Sequence, residues 1–262
     1  MTKKPHDSID QAILEKAPVP DYLAAEDPFS RKLTCVDLID QGLLELLSSL
    51  PADPPSSNEA RHRWQDRVIL NEIPPGSYVL DLGCGRGELM SRLINEMNVH
   101  GQAVEVDPEA AMAAMDLGVP VLNMDLSEIL GDFVDDGFDY VILESTIQTL
   151  KEPLRVLDEM LRVGKKSLVS FPNFGHWRLR LELSTKGRMP VSPSLPYMWY
   201  NTPNIRVLTL SDFMDWAREN KVNISAAYGL NSGRIAPITE KDNLLAEEVL
   251  LFLERPKKVS EL

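Results

Sequence analysis

Three glycines and three carboxylates are the residues whose types and spacing could do chemistry. The stretch VLDLGCGRGEL sets Gly83, Gly85 and Gly87 directly after an apolar run and directly before an amphipathic one. A tight glycine turn brings backbone N–H groups and a helix N-terminus close to a ligand, because no Cβ stands in the way. The spacing departs from the dinucleotide fingerprint G-x-G-x-x-G: its last position is Glu88, and Asp81 stands just before the first glycine. An acid facing the loop repels a pyrophosphate and suits a ligand with an amino group or a sulfonium. The next apolar run ends VEVDP and sets Glu105 about 20 residues after the glycines, where a carboxylate accepts both hydroxyls of an adenosine ribose. Asp125, in LNMDLSE, is placed to meet an adenine amino group. Acids at the ends of three consecutive strands fit S-adenosylmethionine, or S-adenosylhomocysteine, better than NAD or ATP. Asp107 reads differently, as the cap of a helix that begins at Pro108.

A second set of residues follows in VSFPNFGHWRLR, which runs from a buried strand straight into Pro, Asn, Gly, His and Trp. From Phe171 to Arg206 the cations Arg178, Arg180, Lys186, Arg188 and Arg206 face a single acid, Glu182, inside a chain of net charge -13. Trp177, Tyr197, Trp199 and Tyr200 are interleaved with them, the aromatic and Arg character of an interface hot spot. With Phe171, Asn173, His176 and Asn201 they form either a surface for a protein partner or a lid packed over the sheet. Stacking on RNA would use the same residue types, but the overall charge repels a polyanion. His176 has three readings: a general base for methyl transfer, a partner contact beside Trp177, or a structural histidine that fixes an irregular loop. Glu144, after the fourth strand, is the other candidate base, with Gln148, Asn173 and His176 lining an acceptor side. No G-x-S-x-G elbow is present for acyl transfer by this chain itself.

The elements that must hold these residues alternate. Apolar runs of strand length fall at Tyr78 to Leu82, Ala103 to Val106, Val119 to Asn123, Asp139 to Leu143 and Ser167 to Phe171. Between them the spacing predicts helices at Glu88 to Met97, Pro108 to Asp116 and Pro153 to Val163. That is the pattern of an α/β fold with a doubly wound, mostly parallel sheet. A helix at Arg61 to Glu72 precedes it, with Trp64, Val68 and Ile69 on one side. Pro172 to about Val207 reads as an irregular block, followed by a helix at Ser211 to Asn220 capped by Thr209 or Ser211. Val222 to Tyr228 and Glu248 to Leu253 are the last strands, with a polar connection from Asn231 to Asn243. The Pro/Ser cluster PADPPSS separates an N-terminal extension, 1–57, whose Cys35 to Leu50 segment has helical apolar spacing, from a domain over 58–254. Residues 172–207 form a lid or insertion within that domain, and 255–262 a polar tail.

Bulk properties narrow the function classes. Hydrophobic residues make up 44% and charged residues 26% of 262, enough for a large core in a soluble protein. The negative net charge argues against nucleic acid or an anionic membrane as main partner. The sequence starts without an apolar leader and has no run near membrane-span length, and its two distant cysteines, Cys35 and Cys84, offer neither a disulfide framework nor a metal site. A cytoplasmic protein without a metal is the expectation.

Taken together, VLDLGCGRG, VEVDP and FDYVIL resemble the class I S-adenosylmethionine-dependent methyltransferase fold, a Rossmann-like sheet with an antiparallel strand near the C-terminus. More specifically, IPPGSYVLDLGCGRGEL, FDYVILESTIQTL, KEPLRVLDEMLRVGKKSLVSFPNFGHWRLRLEL and GRMPVSPSLPYMWYNTPNIRVLTLSDF resemble the MetW family of methionine biosynthesis proteins, from about Ile73 to Leu253. The resemblance implies that Asp81, Gly83, Gly85, Gly87, Glu105 and Asp125 hold S-adenosylmethionine. It also implies association with a homoserine O-acyltransferase, which this chain would assist. Two features depart from the family pattern: Arg86 and Glu144 stand where other residue types are usual, and the region before the match has no counterpart in the shorter members.

Overall fold

The computed structural model describes residues 64–255. The expected N-terminal helix, the Pro/Ser linker and the tail from 256 onward lie outside the described residues. Helix α1 (Trp64–Glu72) leads into β1 (Tyr78–Leu82), α2 (Glu88–Met97), β2 (His100–Glu105), α3 (Pro108–Asp116) and β3 (Val121–Asn123). A short α4 (Leu126–Ile129), β4 (Phe138–Leu143), α5 (Pro153–Val163) and β5 (Gly164–Pro172) follow. Then come α6 (Trp177–Lys186), α7 (Leu210–Glu219), β6 (Asn223–Asn231), β7 (Arg234–Pro237) and β8 (Glu248–Glu254). None of the described helices is long and apolar enough to cross a membrane.

The eight strands form one sheet in the order β3-β2-β1-β4-β5-β8-β6-β7. The first five are parallel, β8 runs antiparallel to β5, and β6 and β7 continue antiparallel beyond it. Central strands are covered on both faces and therefore read as unbroken apolar runs rather than alternating ones. Leu80, Leu82, Val141, Leu143, Val169 and Leu251 pack with α5 and α7 on one face. Val79, Ala103, Ile142, Leu168 and Leu250 pack with α1 and α2 on the other. Because side chains alternate along a strand, Asp81 shares a face with Val79 and lies on the α1 side.

Helix ends follow local chemistry. Asp107 caps α3, its side chain accepting from the Glu109 and Ala110 N–H groups, with Pro108 at the first helical position. Thr209 caps α7 in a reciprocal box with Asp212. Differences from the sequence reading have simple causes. Strand β2 starts at His100, since the polar His100, Gly101 and Gln102 pair with Tyr78, Val79 and Leu80 at the less buried end of the sheet. Strand β3 starts after Pro120, which has no N–H for the ladder. The polar connection after β6 contains β7, a short edge strand.

The block from 172 to 207 is not irregular throughout, because α6 occupies Trp177–Lys186. Phe171, Asn173 and His176, grouped with a partner-facing surface by the sequence, are buried. Asn173 lies at the corner where β5 ends, and its amide is fully used. Nδ2 donates to the Asn243 and Ala246 carbonyls at 2.8 and 2.7 Å, and Oδ1 accepts from the Gly175 and Leu210 N–H groups at 3.0 Å each. One side chain thus ties the end of β5 to the start of α7 and to the segment before β8. A Cβ on Gly175 would collide with the Asn243 and Asn173 side chains, so PNFG is a packing requirement of this corner. With four bonds near 1 kcal/mol each and their partners left buried, Asn173→Ala is expected to cost about 3–5 kcal/mol. Urea denaturation monitored by Trp fluorescence checks this, and a loss below about 1 kcal/mol would refute the clamp.

Candidate functional site

The carboxyl ends of the parallel strands form the functional edge, as open α/β sheets dictate. Strand β1 hands over to the loop Gly83–Gly87, whose three glycines all have positive φ, but an added Cβ would find open space at only one of them. A Cβ on Gly83 would meet Thr146 Oγ1 at 2.7 Å, and one on Gly87 would meet Ala114 of α3 at 2.6 Å. Gly85 has nothing within 4 Å. Gly83 and Gly87 are thus positions where a side chain would collide with the fold, and of the three Gly83 lines the cleft described below.

Glu105 ends β2 and braces that loop. One carboxylate oxygen accepts the Gly85 N–H at 2.8 Å and the other accepts the Asp107 N–H at 2.9 Å. A carboxylate offers about four acceptor positions, so each oxygen keeps capacity for a ligand hydroxyl. Asp125 caps α4, accepting from both the Ser127 N–H and its hydroxyl at 2.8 and 2.7 Å. Those bonds, with Lys151 nearby, hold its carboxyl below the usual range. Glu105, Asp125 and Gly83 line one cleft of about 600 Å³, together with Thr146, Lys151 and Arg155. That volume lies within the roughly 300–1,000 Å³ of small-molecule sites.

Negative charge accumulates on the α1 side of this edge. Burial, then Asp66 and Glu105, push Asp81 up to about 7. Burial, then Asp66, Asp81 and Glu248, hold the Glu144 carboxyl well above the ordinary range. The Cys84 thiol is pushed up to about 12 by burial and then by Asp81 and Glu105, which makes it a poor nucleophile. Two of the acids have direct partners: Glu248 accepts from the Trp64 indole at 2.6 Å and the Gln65 amide at 2.9 Å, and Asp66 meets Arg92 at 3.3 Å. Among the described residues no three His, Cys, Asp or Glu are placed to hold a metal.

A second cleft of about 220 Å³ adjoins the first, sharing Ser145 and Thr149 with it. Gln65, Glu144, Gln148 and Glu248 supply its polar wall, and Tyr197 with several prolines its apolar one. Glu144 is thus at the acceptor side, and the burial that pushes its carboxyl up also raises its affinity for a proton. His176 stands at the N-terminal end of α6, is buried, and lines neither of these clefts. Asn173 lines neither as well. Gln65, Asp66 and Glu248 were not singled out in the sequence, and no local signal marks them: the register that pairs Pro172 with Glu248 brings Glu248 to this edge.

On the outer side, the segment from Gly187 to Thr209 stays without regular structure but is pinned by Gln148, whose carbonyl accepts from the Ile205 and Arg206 N–H groups at 2.9 and 3.0 Å. Trp199 and Tyr200 pack edge to face and are 77% and 67% exposed, with Tyr197, Met198, Ile205 and Val207 also exposed. Asn201, Arg180 and Arg188 are exposed beside them, and Arg178 lies over the Trp177 ring at 5.0 Å.

Over residues 63–253 the chain matches the family described as methionine biosynthesis protein MetW. It is 33% identical over 248 residues to a bifunctional methionine biosynthesis protein MetXA/MetW of Rhodopirellula baltica, a match that takes in 90% of this chain and 39% of that protein. The chain therefore spans well under half of that relative. A match of this extent reaches into residues before 64, so part of the N-terminal region has a counterpart there. Among solved structures it is similar to an S-adenosylmethionine-dependent methyltransferase of Thermotoga maritima, described as a possible histamine N-methyltransferase, with 16% identity, a TM-score of 0.57 and coverage of 76% of this chain and 91% of that one. A second, from Archaeoglobus fulgidus, gives 14% identity, a TM-score of 0.55 and coverage of 76% and 95%. At such identities the likeness is one of fold.

The acids make stability depend on pH. Asp81 loses its proton near 3.8 when unfolded and near 7 when folded, so the unfolded chain ionises first and the native state weakens as pH rises between those values. Asp81→Asn is expected to raise the melting temperature at about pH 8 and to leave it unchanged below about pH 4. Thermal melts across that range check this, and a difference that does not vary with pH would refute it.

Proposed function

The chain belongs to the MetW family of methionine biosynthesis proteins, and from that membership we propose that it binds S-adenosylmethionine and serves a homoserine O-acyltransferase as its partner subunit. The observation that carries the partner is the relative whose name joins MetXA and MetW in one chain, since two activities held on one polypeptide act side by side. The exposed aromatic surface around Trp199 and Tyr200 supports it, as these are the residue types that anchor interfaces.

The first cleft suits the nucleotide. S-adenosylmethionine brings an adenosine, an ammonium and a sulfonium-bound methyl group. Glu105 has acceptor capacity for the ribose hydroxyls, Asp125 offers a charged acceptor at the rim for the adenine amino group, and Gly85 leaves its backbone bare. Asp81, pushed up to about 7, would be favoured in its ionised form by a cationic end nearby. Because the ligand is the end point of methionine synthesis and one step beyond, its binding reports pathway status to the partner. That requires unequal affinity for two states of the complex.

Methyl transfer to a small acceptor is the second reading, favoured by the second cleft beside the first. Transfer to oxygen or nitrogen needs a base. Glu144, whose carboxyl is pushed up by burial, lines the second cleft and is the candidate base, while His176 lines neither cleft; the joined MetXA/MetW relative makes the accessory role the preferred reading.

Calorimetric titration of the full chain with S-adenosylmethionine, with and without the homoserine O-acyltransferase of the same genome, tests the reading. A complex, an affinity that changes with the partner and raised acyltransferase activity are expected; equal activity with and without the ligand removes the sensing role, and no complex removes the partner. Glu105→Ala is expected to weaken nucleotide binding about 100-fold, two charge-assisted bonds being lost. Trp199→Ala is expected to weaken the complex by about 2 kcal/mol while leaving nucleotide affinity unchanged, measured by the same titrations.

A further inference from the structure

We propose that the second cleft binds the primary ammonium group of a small amine, taken beside the nucleotide and not as part of it. The charged groups in its lining are all acidic. Glu144 and Glu248 contribute carboxylates, and no Lys, Arg or His lines it. Gln148 adds a second, independent sign. It is 6% exposed and its Oε1 is buried without a hydrogen-bond partner. Its Nε2 donates to the Ser145 carbonyl at 2.6 Å, which fixes the amide, because the flipped form would set two oxygens against each other. A buried acceptor left unpaired is costly, and a donor on a ligand satisfies it. An ammonium offers three donors and a positive charge to this wall.

The remainder of the ligand follows from the other walls. Tyr197, Pro193 and Pro196 give apolar surface for an alkyl or aromatic portion, and about 220 Å³ holds a molecule of amino-acid size or smaller. A carboxylate on the same ligand is disfavoured by the two glutamates with no cation to offset them. None of the glycine-loop residues lines this cleft, so the amino-acid end of the nucleotide, directed to Gly83 and Asp81, lies elsewhere. A cation here also offsets the neighbouring acids that, after burial, raise the Glu144 carboxyl. An ammonium held by carboxylates has no lone pair to attack a methyl group, so the cleft recognises its ligand and does not methylate it. The proposal rests on the nucleotide reading only for what lies next door.

The test follows the Trp64 indole and Gln148 side-chain amide resonances of the isotope-labelled full chain by NMR, with n-butylamine as probe. The amine is expected to shift both signals saturably, 1-butanol is not, and 2-aminobutyrate is expected to bind about tenfold or more weakly than the amine. The response should persist with S-adenosylmethionine at saturation. Gln148→Leu should weaken the amine about tenfold and leave nucleotide affinity unchanged. No saturable shift, or an equal response to 1-butanol, overturns the ammonium site. Displacement of the amine by S-adenosylmethionine overturns its separateness. The nucleotide titration on the same sample reads the other hypothesis independently, and the wild-type series needs no variant to fold.

Discussion

Repulsion among carboxylates gathered at one edge of the sheet is the constraint to which the rest of this structure answers. Parallel strands end at the same edge, so Asp81, Glu105 and Glu144 converge there by topology. The antiparallel β8 begins where β5 ends and adds Glu248, and α1 adds Asp66. Each acid is relieved differently. Glu105 is held by two backbone N–H groups, Glu248 by an indole and an amide, and Asp66 by Arg92. Asp81 and Glu144 instead hold on to protons. Helix α1 is therefore more than an apolar cover, since Trp64 and Gln65 neutralise part of the field they cap. A cationic ligand would replace those protons, and a fold that tolerates this edge without a ligand gives up stability for binding.

The residues that make the sequence distinctive do not all act where they look functional. PNFGH reads as a recognition loop, yet Asn173 is sealed inside a corner and His176 is buried at a helix start. Their effect on function runs through geometry. By joining β5, α7 and the approach to β8, the corner fixes the roots of the segment that carries Tyr197, Trp199 and Tyr200. Phe174 adds to this with its N–H donating to the Leu208 carbonyl at 3.0 Å. The exposed aromatics are then held on a rigid base, which keeps the entropy of presenting them low.

Much of the fold was legible because its signals are local. Apolar runs marked β1, β4 and β5, Asp107 with Pro108 marked the start of α3, and Thr209 or Ser211 marked the start of α7, of which Thr209 is the cap. Helix α6 escaped because WRLRLELSTK alternates apolar and charged residues as an exposed strand would, and only Leu179 of the helix is buried. Of the candidate site, Glu105 follows from its distance to the glycines and Asp125 from its place after the third strand, and the two line one cleft, whereas Asp81 is not among its lining residues. Glu248 and Asp66 could not, since their role comes from pairing and packing across most of the chain. The unpaired oxygen of Gln148 is a property of the folded interior alone. Nor could spacing tell that Gly83 and Gly87 answer to Thr146 and Ala114 and only Gly85 to open space.

The segment between Pro193 and Asn204 has two faces, and this gives the clefts a physical route to the outer surface. Tyr197 lines the second cleft on one side and, with Phe174, Met198 and Trp199, an apolar groove on the other. Gln148 bears on the same segment twice: its side chain lines the cleft, and its backbone carbonyl holds Ile205 and Arg206. Ser145 and Thr149, which flank Gln148, also line the nucleotide cleft. A ligand that draws on Gln148 therefore acts on the residue that anchors the aromatic surface. Coupling between sites requires an element whose arrangement both ligands bias, and mere proximity does not provide it. The stretch in question has no helix or strand, and Gln148, which holds Ile205 and Arg206, lies near Ser145 and Thr149, which line both clefts.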